Sequence, residues 1–537
     1  MDGWGISPHE AGNAIALSHV KTIPRLTATY PHTVLNASGL DVGLPQNEDG
    51  NTETGHINIG AGRIVYQDIV KIDHAIEDGS FARNEAISGA IKHAQTHASN
   101  LHIMGLFSSA GVHASRKHLC SILETCKHMQ FDRVFLHLFT DGRDAPPESA
   151  RSFFRDFQIE CPAYTIAKVA TIMGRYYGLD RDKRWERTET AYTALTVGSQ
   201  YTAKSVEEAI EYAYKRGETD EFIKPTVLLD NTGTPYPRIK DNDAIIFYNY
   251  RIDRPRQLTR AFILPDFEKS QPPFSFDPYA VKYLKKHTVD IQAPAHTFIR
   301  SVILKNLFFV TMTEYERDIP AVVAFPTTVI HESLGEVVAN EGIRQLRMSE
   351  SEKERFVTYY FNGYQEQRFP GEDRLIIPSP KVATYDLMPE MSAREMTEQL
   401  IDRMGLGVYG LIVVNFANPD MVAHTGNIEA AKKACAIVDQ CVDKIVSHTL
   451  IRGGACVITG DHGNVEEMLS PTGGIDTEHS TFPVPFIFAH PSLAGNHTMI
   501  PTGRLSDIAP TILKFMNIPI PDSMTGTNLL ETIHHTS

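Results

Sequence analysis

VFLHLFTDGRD, residues 134–144, sets a nearly continuous run of large apolar side chains ahead of Asp141, Arg143 and Asp144. A strand with one wet face alternates apolar and polar, so a run that does not alternate marks a strand covered on both faces, as in a parallel sheet. Ligands of such sheets gather beyond the carboxyl ends of the strands, where these charged residues stand. The same grammar recurs in IIFYNYR (245–251), LIVVNFANPD (411–420) and CVITGDH (456–462). Helical patterns lie between them, such as Ala434, Val438, Cys441 and Ile445 at 4-3-4 spacing. The expectation is an α/β protein with largely parallel sheets. No internal repeat or low-complexity tract is visible. Residues 268–300, with Pro272, Pro273, Pro278 and Pro294, are the least regular and read as an insertion or long surface connection.

A chain of 537 residues, 42% hydrophobic and 22% charged, can bury a large core and exceeds most single domains, so two domains are expected. A net charge of -14 argues against binding nucleic acid or an anionic membrane surface. Local arginine clusters therefore read as sites. Cys120, Cys126, Cys161, Cys435, Cys441 and Cys456 form no CxxC pair and no dense framework, and read as core thiols of a reducing compartment. The opening MDGWGISPHEAG lacks a basic segment followed by an apolar one, and no apolar run approaches the ~20 residues that span a bilayer. The cytosol is the expected location. Two sequons, Asn36-Ala37-Ser38 and Asn496-His497-Thr498, carry little weight without a secretory signal.

Asp420 and His424 stand four apart after an apolar strand, a spacing that stacks two side chains on one helix face within reach of one ion. The bland alternative is a solvated first-turn aspartate and a surface histidine. Asp461-His462 is the stronger signal, ending an apolar strand and entering the turn Gly463-Asn464. His479 sits in DTEHSTFPVPFIF, again beside an apolar strand, and Asp2-Gly3-Trp4-Gly5 is a further candidate. Mixed imidazole and carboxylate donors suggest two divalent cations, with Mn²⁺, Co²⁺ or Zn²⁺ favoured over Mg²⁺ alone.

GRYYGLDRDKRWER (174–187) and RIDRPRQLTR (251–260) concentrate guanidinium groups in an acidic protein. Most charge runs are solvated helix faces. Arg251 and Arg254, however, follow the strand IIFYNY directly, and guanidinium forks there suit phosphate or carboxylate oxygens. Asp144, after VFLHLFTDG, is a candidate general base or else a cap for the following helix. In 46-QNEDGNTETGHINIGAGR-63, Thr52 is a candidate nucleophile. Gly50 and Gly55 are expected to let backbone approach an anion, and a helix starting near Asn51 to aim its amides at it. The alternative is an ordinary turn threonine.

GNTETGHINIGAGRIVYQD, AGVHAS, DGRDAPP, GRYYGLDRDKRWER, RIDRPRQLTRAF, FNGYQEQRFPGEDRLIIPSPKVATYDLMPEMSA, NFANPDMVAHTG, TGDHGNVEEM and HSTFPVP follow one another in this order. In that order they resemble the cofactor-independent phosphoglycerate mutases of the alkaline phosphatase superfamily. The resemblance covers nearly the whole chain apart from roughly 268–305.

It implies a discontinuous alkaline-phosphatase-like, metal-binding domain, 1–66 with 328–537, and an inserted α/β transferase domain, 67–327, that holds substrate. The implied reaction interconverts 3-phosphoglycerate and 2-phosphoglycerate in glycolysis and gluconeogenesis, in a cytoplasmic monomer. It needs two divalent metals and no added bisphosphoglycerate, and the domains close to exclude water while the phosphoryl group rests on Thr52. Matched position by position, Asp420, His424 and His479 resemble the ligands of one metal. Asp2, Asp461, His462 and the Thr52 oxygen resemble those of the other. Lys353 matches the lysine that steadies the phosphoryl group. His113, Arg143, Asp144, Arg175, Arg181, Arg251 and Arg254 match the substrate-holding set, with Asp144 as base for the glycerate hydroxyls.

Three features depart from the family pattern. The nucleophile position holds Thr52 instead of serine. AGVHAS lacks the usual second glycine and second histidine around His113. An apolar strand normally precedes the position of Asp2, whereas this sequence begins at Met1, so the expectation is a longer natural reading frame or a less stable chain. A metal-dependent phosphohydrolase of the same superfamily, or a catalytically impaired homologue, would share much of this set. The arginines speak against the first, and the filled metal-ligand positions against the second.

Overall fold

The computed structural model describes residues 1–269 and 297–531. Most of the segment read as an irregular insertion therefore lies outside the described residues. The chain divides into two compact units, Met1–Gln67 with Thr328–Ser537, and Asp68–Thr327.

The unit Asp68–Thr327 is built on an eight-stranded sheet. Across it run Tyr201–Ala203, Thr226–Leu228, Ala167–Gly174, Val134–Thr140, Leu101–Phe107, Ala244–Phe247, Phe308–Thr313 and Val322–Phe325. Every pairing is parallel except that of Ala167–Gly174 with Thr226–Leu228. Leu101–Phe107 is buried at every position and Val134–Thr140 at all but Phe135, which is why their sequences do not alternate. Four neighbouring strands deliver chemistry at their carboxyl ends. Leu101–Phe107 leads to His113, Val134–Thr140 to Asp141 and Asp144, Ala167–Gly174 to Arg175, and Ala244–Phe247 to Arg251 and Arg254.

The discontinuous unit holds two sheets. One orders Cys456–Thr459, Val484–Ala489, His32–Asn36 and Gly503–Arg504. The other is parallel and orders Glu372–Ile377, Gln345–Glu350 and Leu411–Val414. The periodic stripe from Ala434 onward lies on the helix Ile428–Ile451, where Ala434, Val438 and Cys441 are buried. The amino group of Met1 donates to the Thr459 carbonyl at 2.9 Å and the Asp2 amide to the Phe416 carbonyl at 3.0 Å. These bonds pin Asp2 between the strand ends that lead to Asp420 and to Asp461.

The cysteine reading needs correction. Cys120 and Cys161 form a disulfide, their Cα atoms 5.7 Å apart, joining the helix Arg116–His128 to the end of the helix Ala150–Glu160. Their separation of 41 residues conceals this proximity in the sequence. Cys120 and Cys161 are therefore not the free core thiols that the sequence suggests. Cys126, Cys435 and Cys441 are buried free thiols. Among the described residues, no helix is long and apolar enough to cross a membrane.

Candidate active site

The helix Thr52–Ala61 opens with Asn51 as its cap: the Asn51 side chain accepts from the Thr54 amide at 3.0 Å and Thr54 Oγ1 receives the Asn51 amide. Thr52 occupies the first helical position, where unpaired amides favour a negative ligand. It is buried. The two glycines serve a different purpose from the expected one. A Cβ at Gly55 would lie 2.3 Å from the Asp461 carbonyl oxygen, and one at Gly50 would lie 2.0 Å from that of Ala37. They bring the helix start against protein backbone, which sets Thr52 beside the Asp461-His462 turn.

Lys353 closes the turn Ser351–Lys353 after the strand Gln345–Glu350, and a π-helix, Phe356–Tyr360, follows it. Its ammonium is buried and donates to Asp2 Oδ1 at 2.7 Å, Asp420 Oδ2 at 2.6 Å and Thr52 Oγ1 at 2.9 Å. Burial disfavours the charge, but the carboxylates of Asp2, Asp420 and Asp461 outweigh it and hold the ammonium above its ordinary range.

Asp420, His424 and His479 form one group with a ligand atom from each within 4.8 Å of the others, and Asp2, Asp461 and His462 form a second. The donor chemistry asks for cations. His424 Nδ1 lies 2.7 Å from the Thr477 carbonyl and His479 Nδ1 lies 2.8 Å from that of Gly50. A carbonyl only accepts, so each Nδ1 carries the proton and each Nε2 presents a lone pair. Those Nε2 atoms face each other at 3.2 Å and face Asp420 Oδ1 at 3.1 and 3.3 Å. Three acceptors thus converge with nothing between them to share, an arrangement that a divalent ion resolves. In the second group Asp461 Oδ2 is buried and, among the described residues, has no hydrogen-bond partner, with His56 Nδ1 3.2 Å away. Burial opposes charge on His462, yet Asp461, with Asp2 and Asp420, pushes the imidazole up to about 9. The pocket selects positive charge. His462 Nε2 lies 3.0 Å from Thr52 Oγ1.

The unit Asp68–Thr327 assembles most of the expected substrate set. Buried Arg175 donates to Asp141 Oδ1 at 2.6 Å and to Asp144 Oδ2, and lies 3.0 Å from His113 Nε2. Asp144 caps no helix; Asp220 instead accepts the Ser149 and Ala150 amides at the start of the following one. Arg181 and Arg251 both turn to Asp253, at 2.6 and 3.3 Å. Arg254 is buried with its Nε unpartnered, and burial, followed by Arg175 and Arg181, lowers its guanidinium to about 10. Burial pushes His113 down to about 3 against the pull of Asp253, with Arg175, Arg251 and Arg254 adding to the effect. A desolvated guanidinium among others of its kind is a ready partner for an anion. Arg143 stands apart, half exposed and 3.7 Å from Glu221.

Several contributing residues escaped the sequence reading. Asp253 lies between two of the singled-out arginines, where alternating charge was a usable signal. Asn464 donates to Asp420 Oδ1 at 2.9 Å, and Asn415 to Asp2 Oδ2 at 2.7 Å. His56 lies four residues after Thr52, on the same helix face.

Paired carboxylate–imidazole groups beside a buried hydroxyl and ammonium characterise α/β proteins that handle phosphate esters with two cations. Residues 72–317 match the family described as the N-terminus of BPG-independent PGAM. The 2,3-bisphosphoglycerate-independent phosphoglycerate mutase of Moorella thermoacetica is 46% identical, over 99% of this chain and 97% of that protein. That of Methanococcoides burtonii is 44% identical with the same coverage. The crystal structure of Leishmania mexicana phosphoglycerate mutase at low cobalt concentration superposes with a TM-score of 0.61 at 26% identity, covering 98% of this chain and 96% of that one. The chain belongs to the 2,3-bisphosphoglycerate-independent phosphoglycerate mutase family.

Proposed function

We propose that the chain interconverts 3-phosphoglycerate and 2-phosphoglycerate, a step of glycolysis and gluconeogenesis, with Thr52 as the transient phosphoryl acceptor. The observation that carries this reading is the convergence on Thr52 Oγ1 of Lys353 Nζ at 2.9 Å, His462 Nε2 at 3.0 Å and Asp2 Oδ1 at 3.3 Å. Asp420, His424 and His479 would hold one divalent cation. Asp2, Asp461 and His462, with the Thr52 oxygen, would hold the other. The ion we propose is manganese, with cobalt, zinc or magnesium as the alternatives for this mixed imidazole and carboxylate set. When bound, the ions neutralise phosphoryl charge and lower the pKa of the hydroxyl.

The protein's own groups do the rest. Thr52 Oγ1, having given up its proton, bonds to phosphorus as the bond from phosphorus to the glycerate oxygen breaks, and that oxygen takes a proton from Asp144. Lys353 donates to the phosphoryl oxygens, as it now donates to Thr52. His113, Arg143, Arg175, Arg181, Arg251 and Arg254 keep glycerate in place, and Asp144 exchanges the proton between its two hydroxyls. The other hydroxyl then attacks phosphorus and frees Thr52, so bisphosphoglycerate is not needed. Residues 68–327 thus form the substrate-holding transferase unit, and the discontinuous unit the phosphatase-like, cation-holding one. We take the chain to act as a monomer on a small-molecule substrate.

The test is a coupled assay of metal-depleted protein on 3-phosphoglycerate. Mn²⁺ alone is expected to restore formation of 2-phosphoglycerate without release of inorganic phosphate. Activity after thorough chelation, or only with bisphosphoglycerate, would overturn the proposal, and phosphate release in place of isomerisation would select the phosphohydrolase.

A further inference from the structure

His56 and Asn415 form a buried link that the reaction scheme above does not use. Both side chains are almost wholly buried. Asn415 Nδ2 lies 2.7 Å from Asp2 Oδ2 and 3.0 Å from His56 Nε2. A carboxylate only accepts, so the Asn415 amide must present its NH₂ group to Asp2. Its second hydrogen then points to His56 Nε2, which must accept. That assigns the remaining ring proton to His56 Nδ1, which donates to the Thr52 carbonyl at 2.9 Å. The same Nδ1 lies 3.2 Å from Asp461 Oδ2. One imidazole therefore touches the main chain of Thr52 and the carboxylate of Asp461, and through Asn415 reads the orientation of Asp2.

We infer that His56, with its tautomer set by Asn415, is a positioning residue that holds the Thr52 hydroxyl in register with the Asp2 and Asp461 carboxylates. It rests on the reading of Thr52 as phosphoryl acceptor. The link joins the first turn of the Thr52 helix to the ends of two strands, and so fixes a nucleophile relative to carboxylates that come from two other segments. Groups that orient metal ligands in this way typically alter metal affinity or activity by about 10–100-fold when replaced. His56 touches neither substrate nor the reacting oxygen in this role.

Two near-isosteric replacements separate positioning from bulk structure. In H56N the amide nitrogen can occupy the place of Nδ1, keep the donor to the Thr52 carbonyl and stay beside the Asp461 carboxylate. In H56Q it falls nearer the place of Nε2 and loses that donor. Titration calorimetry of the metal-depleted full chain with Mn²⁺ reads the affinity of each cation site, and steady-state kinetics with 3-phosphoglycerate separates kcat from KM. H56Q, and likewise N415L, is expected to lose affinity at one of the two Mn²⁺ sites and to lower kcat, each by about 10–100-fold, with KM little changed. H56N is expected to stay close to the unsubstituted protein in both. Equal behaviour of H56N and H56Q, or unaltered Mn²⁺ affinities in H56Q and N415L, would overturn the inference. If the unsubstituted protein binds two Mn²⁺ ions yet forms no 2-phosphoglycerate, the proposed function falls, while the affinity comparison still decides the positioning role.

Discussion

The ammonium of Lys353 donates to the hydroxyl of Thr52 at 2.9 Å. From the same nitrogen it reaches one carboxylate of each candidate cation group, Asp2 and Asp420, at 2.7 and 2.6 Å. One buried positive charge thus sits at the meeting point of a nucleophile and two anionic groups.

Replacing Lys353 by methionine is expected to separate two effects. Loss of a donor aimed at the phosphoryl oxygens should lower kcat by about 10²–10³. Affinity for Mn²⁺ should hold or rise, because a competing cation has been removed from Asp2 and Asp420. Without metal the two carboxylates remain buried and unpaired by lysine, so the melting temperature should fall and then recover on adding Mn²⁺. A melting temperature indifferent to Mn²⁺ would contradict this account.

Thr52 carries one methyl more than serine, which restricts χ1, and a poorly matched rotamer costs about 0.5–1.5 kcal/mol. That corresponds to roughly a tenfold loss of rate at most. Thr52→Ser should therefore keep or raise activity and Thr52→Ala should abolish it. Acid-trapped protein treated with substrate should yield phosphothreonine on the peptide containing residue 52. An active alanine variant would remove Thr52 from the mechanism.

Arg254→Ala should damage transfer far more than metal binding. Its guanidinium is buried near Arg175 and Arg181, and Nη1 donates to the Leu179 carbonyl at 3.2 Å. The expected outcome is a large fall in kcat/KM with Mn²⁺ affinity unchanged by titration calorimetry. A matching loss of metal affinity would give Arg254 a structural role instead.

The sheet of the unit Asp68–Thr327 buries a chain of polar groups, in which His102 lies 2.9 Å from His137 and 3.1 Å from Asp243, and His137 lies 2.8 Å from Thr171. Burial lowers both imidazoles, against the pull of Asp243 on His102 and with Arg238 adding to the effect. A histidine whose folded pKa is depressed contributes stability that is present above its unfolded value of 6.5 and lost as pH falls below it. Each can cost up to about 1.4 kcal/mol per pH unit in that range. Hydrogen exchange of the strands Leu101–Phe107 and Val134–Thr140 should accelerate between pH 6.5 and 5, and less so in His137→Gln. Equal acceleration in that variant would place the acid sensitivity elsewhere.

Hydropathy alone determined the fold class and the places where chemistry would gather. Val134–Thr140 and Ala244–Phe247 read as covered strands because burial on both faces leaves no polar alternation, a local property of the chain. The helix start at Asn51 was equally legible, since capping involves neighbours in sequence. Ordered motifs also carried the family and the ligand positions implied by it. Only the tertiary structure decided which groups meet: the Cys120–Cys161 disulfide, Lys353 between Asp2 and Asp420, and Asp253 between Arg181 and Arg251. It also gave Gly50 and Gly55 their purpose, close contact with backbone instead of an open approach for an anion. Asn415 and Asp2 stand 413 positions apart and touch at 2.7 Å. Such contacts depend on sheet order and on which strand ends are brought side by side, and no local pattern of side chains encodes either.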